Sequence, residues 1–341
     1  MGEALTQKKI RYDWLDVIKA LAMLLVILGH LALSSVRWYQ AYASFIKLPL
    51  FFAASGFVFN PKKTDDVKAF IKGRATRILL PYFYLCFIIC ICNYFLEGKT
   101  FSVWLKASLY SVFTGSIYMW FLPVLFLCNV LMLFVFRAFK NKTLPIIITA
   151  VISLVAGYFL LPEKHIIFNV NETLIAFSFC VFGYYFKTYF MKIKTKILNI
   201  AGLASTVFFA LAPIVYNKLS GRFSYINMNE NFYEIFALDM FIAFCGTMGI
   251  FVFARYIKMP KFVVWFGQNT MFYYAFHIPM CTFVILIFNA VSSGLFTLQY
   301  LKGHIAVYLL ITVLSLVILA PLCNLVNKYI PFVVGIKKQK K

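Results

Sequence analysis

The chain has 341 residues, of which 63% are hydrophobic and only 13% are charged, and its formal net charge is +22. A soluble domain of this length could not bury so much apolar surface, so the composition excludes an ordinary soluble protein. Apolar runs recur from end to end and predict an all-α polytopic membrane protein that forms a single domain over residues 1–341.

Ten apolar runs have about the length that a helix needs to cross a hydrocarbon core of roughly 30 Å. In chain order the predicted spans are Leu15–Val36, Ala43–Asn60, Ile78–Leu96, Ile117–Phe136, Leu144–Leu161, Leu174–Phe186, Ile197–Tyr216, Ile235–Ala254, Phe262–Ala290 and His304–Val326. The sixth is short and the ninth is long, which predicts a broken or tilted helix at one of them. The amphipathic segment Phe101–Phe113 is expected along the outer interface, with a short eleventh span as the alternative.

The distribution of positive charge predicts the orientation of these spans. Most of the 33 Lys and Arg residues fall on segments that are cytoplasmic if both termini are cytoplasmic, with basic tails at residues 1–12 and 328–341. This topology, together with attraction to anionic lipid headgroups, explains the positive charge without nucleic acid as a partner. The sequence therefore predicts a multi-pass protein of the cell membrane.

The eight cysteines lie in or at the ends of apolar runs. None of them forms a CxxC pair or joins a histidine cluster, so neither a zinc site nor a disulfide framework is indicated. We expect them to be small packing residues and expect no metal cofactor.

The first span carries three polar residues on one side. Asp16, Lys19 and His30 fall within one stripe of roughly 60° at about 100° per helical residue, and such a stripe faces protein or water. A rise of about 1.5 Å per residue puts His30 roughly 16 Å deeper than Lys19. Asp16 and Lys19 should lie near the cytoplasmic face, and His30 in the outer half.

His30 is a candidate general base, because imidazole titrates near neutral pH and an ionisable group inside a membrane is costly to keep. The alternative is a structural histidine that bonds across helices. Asp16 and Lys19 are candidates for the same active site. Their alternative is an interfacial ion pair that fixes the helix.

Arg74 and Arg77 are three residues apart, which places both guanidinium groups on one helix face just before an apolar run. Guanidinium forks suit phosphate, and the neighbouring Lys72 adds a third cation. Arginines that flank a span are also ordinary positive-inside anchors, so this alternative stays open.

An ordered set of short motifs runs along nearly the whole chain. The set comprises Arg11-Tyr-Asp-Trp-Leu-Asp16-Val-Ile-Lys19, Gly29-His30, Leu48-Pro49-Leu50-Phe51-Phe52-Ala-Ala-Ser55-Gly56-Phe57, Arg74-x-x-Arg77-x-x-x-Pro81-Tyr82, Trp120-Phe121-Leu122, Phe182-Gly183-Tyr184 and Phe266-Gly267-Gln-Asn269-Thr270, followed by Tyr274 and His277. In these motifs the chain resembles the membrane-bound acyltransferase family 3, and within it the branch named for fucose 4-O-acetylase.

The resemblance implies transfer of an acyl group, commonly acetyl from acetyl-CoA, to a hydroxyl of a sugar or glycan intermediate in the cell envelope. It implies that His30 is catalytic and that Arg74 and Arg77 contact the CoA donor. Two positions depart from the family pattern. Lys19 stands where many members carry Arg, and Lys47 stands at a place where many relatives have a second histidine.

The residues and the resemblance together suggest a mechanism. Phosphates of CoA would bind Arg74, Arg77 and Lys72, and His30 would remove the proton of the sugar hydroxyl that attacks the thioester. Direct transfer needs fewer assumptions than a covalent acyl intermediate. Four further residues are expected to bind substrate, namely Trp120, Ser55, Asn269 and His277, and Ser55, the Gly56 amide or Trp120 could supply donors to the oxyanion.

A second class of function would fit the same multi-span helical architecture. An exporter or flippase of a polysaccharide or lipid-linked sugar would also need many spans and an aromatic-rich cavity, but no donor site. The combination of Arg74, Arg77 and His30 favours the acyltransferase, with membrane lipids as its surroundings and an acyl-CoA donor and a glycan acceptor as its partners.

Overall fold

The computed structural model describes residues 11–63, 65–97, 101–114, 119–159 and 169–336. Within these ranges the chain forms fourteen α-helices and no β-strand, which confirms the all-α prediction. In chain order the helices are α1 Asp13–His30, α2 Arg37–Phe57, α3 Val67–Arg74, α4 Leu80–Glu97, α5 Phe101–Thr114, α6 Phe121–Ala138, α7 Thr143–Phe159, α8 Val170–Thr188, α9 Thr195–Ser220, α10 Phe236–Ala254, α11 Lys261–Gln268, α12 Thr270–Val291, α13 Leu298–Gly303 and α14 Ile305–Tyr329.

In the described part of the chain, seven helical segments are long and apolar enough to cross a membrane. They are Val67–Cys92, Phe121–Ala138, Val170–Lys192, Thr195–Ser220, Phe236–Ala254, Thr270–Val291 and Ile305–Tyr329. The other three predicted spans coincide with α1, α2 and the 17-residue α7. The chain is a helical membrane protein, whereas ten spans and cytoplasmic termini stay predictions.

Some of the predicted boundaries lie outside the described residues. They are the start of the fourth span, the end of the fifth span, residues 1–10 of the first basic tail and residues 337–341 of the second. The segment expected along the interface is a regular helix, α5. Its position relative to the membrane stays a prediction.

The long ninth predicted span is broken into α11 and α12 at Asn269. The Asn269 side chain donates to the Trp265 carbonyl at 2.7 Å and accepts from Asn327 at 2.7 Å. An asparagine side chain that bonds its own backbone competes with helical hydrogen bonds, which explains why the rod stops there. The short sixth span, in contrast, extends to the 19 residues of α8.

A π-helical turn, Ala75–Leu79, joins α3 to α4. Each π-helical turn holds more residues than an α-helical turn, so it rotates the side chains that follow it. Arg74 comes just before this turn and is half-buried, whereas Arg77 lies within it and is exposed. The α-helical spacing assumed for the two arginines is therefore altered.

Helices α1 and α2 form the centre of the bundle. Helix α1 packs against α2, α10, α11 and α12, and α2 packs also against α8 and α10. Outward-facing apolar side chains are exposed on α9 and α14, as a lipid-facing surface requires. Most residues of α1 and α2 are thus buried or half-buried among their neighbours.

Two glycines let α2 and α8 touch through their backbones. A Cβ atom on Gly56 would overlap the carbonyl oxygen of Cys180, and a Cβ atom on Gly183 would overlap the carbonyl oxygen of Ala53. Small residues at helix crossings are the usual means of close packing within a membrane. This contact fixes the position of α2, and hence of the cavity residues that α2 carries.

Candidate functional site

A cavity of about 650 Å³, here called the Asp16 cavity, opens along the first half of α1. Its wall is mostly apolar and is built by α1, α2, α6 and α12. The polar side chains of its wall include Arg11, Asp16, Lys19 and Ser55. A long ligand with a charged end and an uncharged body would match this distribution of polar and apolar surface.

Asp16 holds two cations at the wall of this cavity. Arg11 Nη2 lies 2.8 Å from Asp16 Oδ2, and Lys19 Nζ lies 2.6 Å from Asp16 Oδ1. The Asp16 side chain is only 7% exposed, whereas those of Arg11 and Lys19 are 60% and 31% exposed. The structure thus contains the predicted ion pair, and it adds Arg11 as a second partner of the carboxylate.

A second cavity of about 350 Å³, the His30 cavity, lies at the other end of α1. Its wall includes His30, Gln40, Lys47, Trp120 and Glu230. Aromatic rings beside amide, carboxylate and ammonium groups are suited to a polar ligand with apolar faces, such as a sugar ring.

Val26, Leu48 and Tyr274 line both cavities. The two cavities therefore share one wall, near the middle of the bundle. His30 follows Val26 by one helical turn on α1, and Lys47 immediately precedes Leu48 on α2. Both ionisable residues stand on the His30-cavity side of the shared wall.

His30 is the last residue of α1, and its surface is exposed toward the cavity that it lines. Gln40 fixes the turn after it, because Gln40 Nε2 lies 3.3 Å from the carbonyl oxygens of Gly29, Leu33 and Ser34. Carbonyl groups at a helix end need such donors. The imidazole is thus presented to the cavity from a firmly held backbone.

His277 lies behind His30, with 5.5 Å between the two ring centroids. Its side chain is completely buried. His277 Nδ1 lies 3.0 Å and 2.9 Å from the carbonyl oxygens of Tyr273 and Tyr274, and since carbonyls only accept, Nδ1 carries the hydrogen. His277 is not among the described residues that line either cavity, so it adjoins the candidate base and not the cavity space.

Lys47 is half-buried and lines the His30 cavity. In the portion of the chain that the structure describes, its ammonium group makes no hydrogen bond and no ion pair. A lysine in a membrane interior ordinarily pairs with a carboxylate or a carbonyl. Its charge is therefore available to a ligand.

The segment between α9 and α10, residues 221–235, covers the His30 cavity. Asp239 anchors the segment near both ends, because its carboxylate accepts from the Ser224 hydroxyl at 2.9 Å and from the Ile235 amide at 3.0 Å. The Ile226 amide donates to the Ser44 hydroxyl on α2 at 3.2 Å. Burial raises the pKa of Tyr233, which keeps this phenol neutral.

Arg74, Arg77 and Lys72, the predicted donor-binding residues, are not among the described residues that line the two cavities. The Arg74 guanidinium lies over the Phe70 ring at 5.2 Å, and Phe70 packs on Phe59 at 6.0 Å. The residue before Phe59 lines the Asp16 cavity. The arginine is thus separated from this cavity wall by two packed aromatic rings and the residue next to them in the chain.

The structure separates the predicted substrate-binding residues. Trp120 lines the His30 cavity, whereas Ser55 lines the Asp16 cavity and accepts from Asn129 at 3.2 Å. Asn269 is not among the described residues of either wall, and its side chain bonds the backbone at the break between α11 and α12. His277 is buried behind His30.

Sequence reasoning missed that Lys47 and Gln40 line the same cavity as His30. Lys47 had been noted only as a departure from a family pattern, although a lysine within an apolar run is itself a signal of function. Gln40 gave no signal, because its role depends on the turn that follows His30. The covering segment, residues 221–235, was likewise invisible without the fold.

The arrangement can carry out proton transfer. A solvent-accessible imidazole and an unpaired ammonium group stand beside a wall that can be approached from either cavity. A base next to a cation suits a reaction in which a hydroxyl is deprotonated and negative charge develops on a nearby oxygen. Among the described residues, no group of His, Cys, Asp and Glu could hold a metal ion.

Comparison with protein families matches residues 12–323 to an acyltransferase domain, the family model of acyltransferase 3. No curated protein matches the chain, and no solved structure does. The matched range contains the described lining of both cavities except Arg11, together with the π-helical turn and the covering segment.

Proposed function

The chain belongs to acyltransferase family 3, and from this we propose that it transfers an acyl group, specifically acetyl, from acyl-CoA to a hydroxyl of a sugar or cell-envelope glycan. The observation that carries the proposal is His30, which is exposed to the His30 cavity one helical turn beyond the wall that this cavity shares with the Asp16 cavity. The motifs similar to the fucose 4-O-acetylase branch support a sugar acceptor and a place in the cell membrane.

The donor enters through the Asp16 cavity. Its phosphates bind Arg74, Arg77 and Lys72 at the cytoplasmic face, and its uncharged pantetheine arm follows the apolar wall of the cavity past Ser55. The distance from Lys19 to His30 along α1 is roughly 16 Å at about 1.5 Å per residue, which such an arm can span. The thioester then reaches Val26, Leu48 and Tyr274 with the charged part of the donor still outside.

The acceptor occupies the His30 cavity. Trp120 offers an aromatic face to a sugar ring, and the covering segment adds the carboxylate of Glu230. His277 supports the His30 imidazole from behind, and Asn269 acts at a distance by holding α12 in place. Donor and acceptor therefore arrive from different sides of one wall.

His30 takes the proton of the acceptor hydroxyl while the hydroxyl oxygen bonds to the thioester carbon. The tetrahedral intermediate collapses with cleavage of the carbon–sulfur bond. The protonated His30 returns its proton to the leaving CoA thiolate. The products are an O-acyl sugar and free CoA, and the enzyme regains its starting protonation state.

We expect the double variant Arg74→Ala/Arg77→Ala to bind CoA about 10²–10⁴-fold more weakly, because every 1.4 kcal/mol of binding free energy is a factor of ten in Kd. Hydrogen bonds to charged groups contribute about 1.5–3 kcal/mol each, and each arginine makes at least one in this proposal. The measurement is the Kd of CoA for protein in lipid nanodiscs. The matched control, Lys192→Ala/Lys194→Ala, removes two exposed charges elsewhere and should keep the original Kd.

The function itself is tested by CoA release from acetyl-CoA with a panel of candidate glycans. Acceptor-dependent release, with an O-acetyl ester in the product, supports the acyltransferase. If the purified protein neither binds acetyl-CoA nor releases CoA with any acceptor, the donor route is wrong. The exporter alternative would then be examined by glycan transport into vesicles.

A further inference from the structure

Lys47 is an interior lysine whose charge is not paired by the described residues. It carries a positive charge on α2, in the middle of the bundle, yet the described residues provide it with no carboxylate and no hydrogen-bond acceptor. An unpaired charge in a medium of low polarity is strongly disfavoured unless something compensates it. A negatively charged group that develops only during the reaction would compensate the charge of Lys47.

The position of the Lys47 ammonium is well defined relative to the candidate base. A Cβ atom on Gly29 would lie 3.7 Å from Lys47 Nζ, so the ammonium group lies against α1 one residue before His30. Lys47 also precedes Leu48, which belongs to the wall shared by the two cavities. Base and cation therefore flank the place where a thioester would emerge from the Asp16 cavity.

Lys47 is the only lysine or arginine among the described residues that line the His30 cavity. Glu230 is the carboxylate of the same described wall, and the two make no ion pair within 4 Å. Among the described residues of this wall, Lys47 is thus the basic side chain that can offset negative charge developing beside His30.

We propose that Lys47 is a catalytic residue that stabilises the oxyanion of the tetrahedral intermediate, an inference that rests on the proposed acyl transfer. As the acceptor oxygen bonds to the thioester carbon, the carbonyl oxygen becomes negative. Lys47 donates a hydrogen bond from its ammonium group to that oxygen. When the carbon–sulfur bond breaks, the carbonyl re-forms and Lys47 keeps all its protons.

The physical reason for a lysine here is the weak dielectric screening of the interior. A fixed donor aimed at developing charge is worth much more in a water-poor site than in bulk solvent, and it needs no reorganisation during the reaction. The uncharged ground-state carbonyl gains less from the ammonium group than the oxyanion does. The effect should therefore fall on kcat and leave donor binding largely unchanged.

The test compares wild type with Lys47→Met and Lys47→Arg in nanodiscs. Lys47→Met removes the charge at similar length, and we expect kcat for acetyl transfer to fall about 10²–10³-fold, with the Kd of CoA within a factor of two of wild type. Lys47→Arg should restore at least part of the lost kcat, because it keeps the charge and a donor. Lys218→Met, at an exposed site on α9, is the matched control and should be unchanged.

The thermal unfolding midpoint distinguishes a catalytic role of Lys47 from a structural one. Since Lys47→Met removes an unpaired interior charge, its thermal midpoint should equal or exceed that of wild type. A lowered midpoint in Lys47→Met, which Lys47→Arg corrects together with activity, would make Lys47 a structural residue and overturn the proposal.

Two further outcomes would also overturn it. Unchanged kcat in Lys47→Met would exclude oxyanion stabilisation while leaving the acyltransferase function intact. A higher KM for carboxylate-bearing acceptors, with kcat for neutral acceptors unaffected, would make Lys47 an acceptor anchor. Failure of wild type to transfer any acyl group would instead refute the proposed function on which the inference depends.

Discussion

The variant His30→Ala should lower the turnover number for CoA release by a factor of about 10²–10⁴, which is the usual contribution of a general base. His30 ends α1, is exposed to its cavity and stands one helical turn beyond the shared wall at Val26. Since His30 lies away from the arginines proposed to bind the donor, the Kd of CoA should not change. Single-turnover kinetics in nanodiscs, with a separate binding titration, measure both quantities.

His304→Ala is the matched control for this experiment. His304 is exposed, and its ring stacks on Tyr300 at 4.1 Å without lining either described cavity wall. Its replacement should leave turnover within a factor of two of wild type. Turnover by His30→Ala at half the wild-type rate or more would contradict the assignment of His30 as the base.

The variant Gly183→Ala should destabilise the fold by about 1–3 kcal/mol or more, the range found when a packed interior is overfilled. The added methyl group would overlap the carbonyl oxygen of Ala53, and a backbone atom cannot rotate out of the way as a side chain can. Helices α2 and α8 would have to separate, which would move Lys47 as well. Thermal unfolding in detergent, followed by size-exclusion chromatography, measures this loss.

Gly73→Ala provides the opposite case. Gly73 lies within α3, and nothing stands within 4 Å of the position that its Cβ would occupy. Alanine is better than glycine inside a helix by about 1 kcal/mol, so this variant should be neutral or slightly more stable than wild type. If Gly183→Ala unfolds at the same temperature as Gly73→Ala, the close contact of α2 with α8 is not important for stability.

The helical fold could be predicted because its main determinant is local. Each apolar run of sufficient length specifies a helix, and each predicted span coincides with one. The break at Asn269 could be predicted only as a possibility of the long ninth span. The Asn269 side chain that bonds the Trp265 carbonyl at the break is also held by Asn327, 58 residues further along the chain, and no local pattern contains that second contact.

Part of the candidate site could also be predicted, because it too depends on local sequence. Asp16 and His30 were found because both interrupt one apolar helix, and a helical stripe is a property of neighbouring residues. The partnership of His30 with Lys47 and Gln40 depends on the packing of α1 on α2, which spacing within one helix does not reveal. The arginine pair was described least well, because a π-helical turn has no clear sequence signal.

Gly56 and Gly183 show why two motifs that are distant in the sequence occur in one chain. Ser55-Gly56-Phe57 and Phe182-Gly183-Tyr184 contributed to the family resemblance as short patterns far apart in the sequence. In the fold each glycine faces the other helix, and together they define one crossing of α2 with α8. Such paired positions explain both motifs by a single steric requirement.

Val26, Leu48 and Tyr274 also determine how well a membrane stays electrically insulated where this protein crosses it. If the two cavities fill with water from opposite faces of the membrane, most of the membrane voltage falls across the layer of side chains between them. An apolar constriction can exclude hydrated ions by dewetting while it admits an uncharged group. If an acyl group passes this wall as proposed, the same three residues must also prevent leakage of protons and sodium ions.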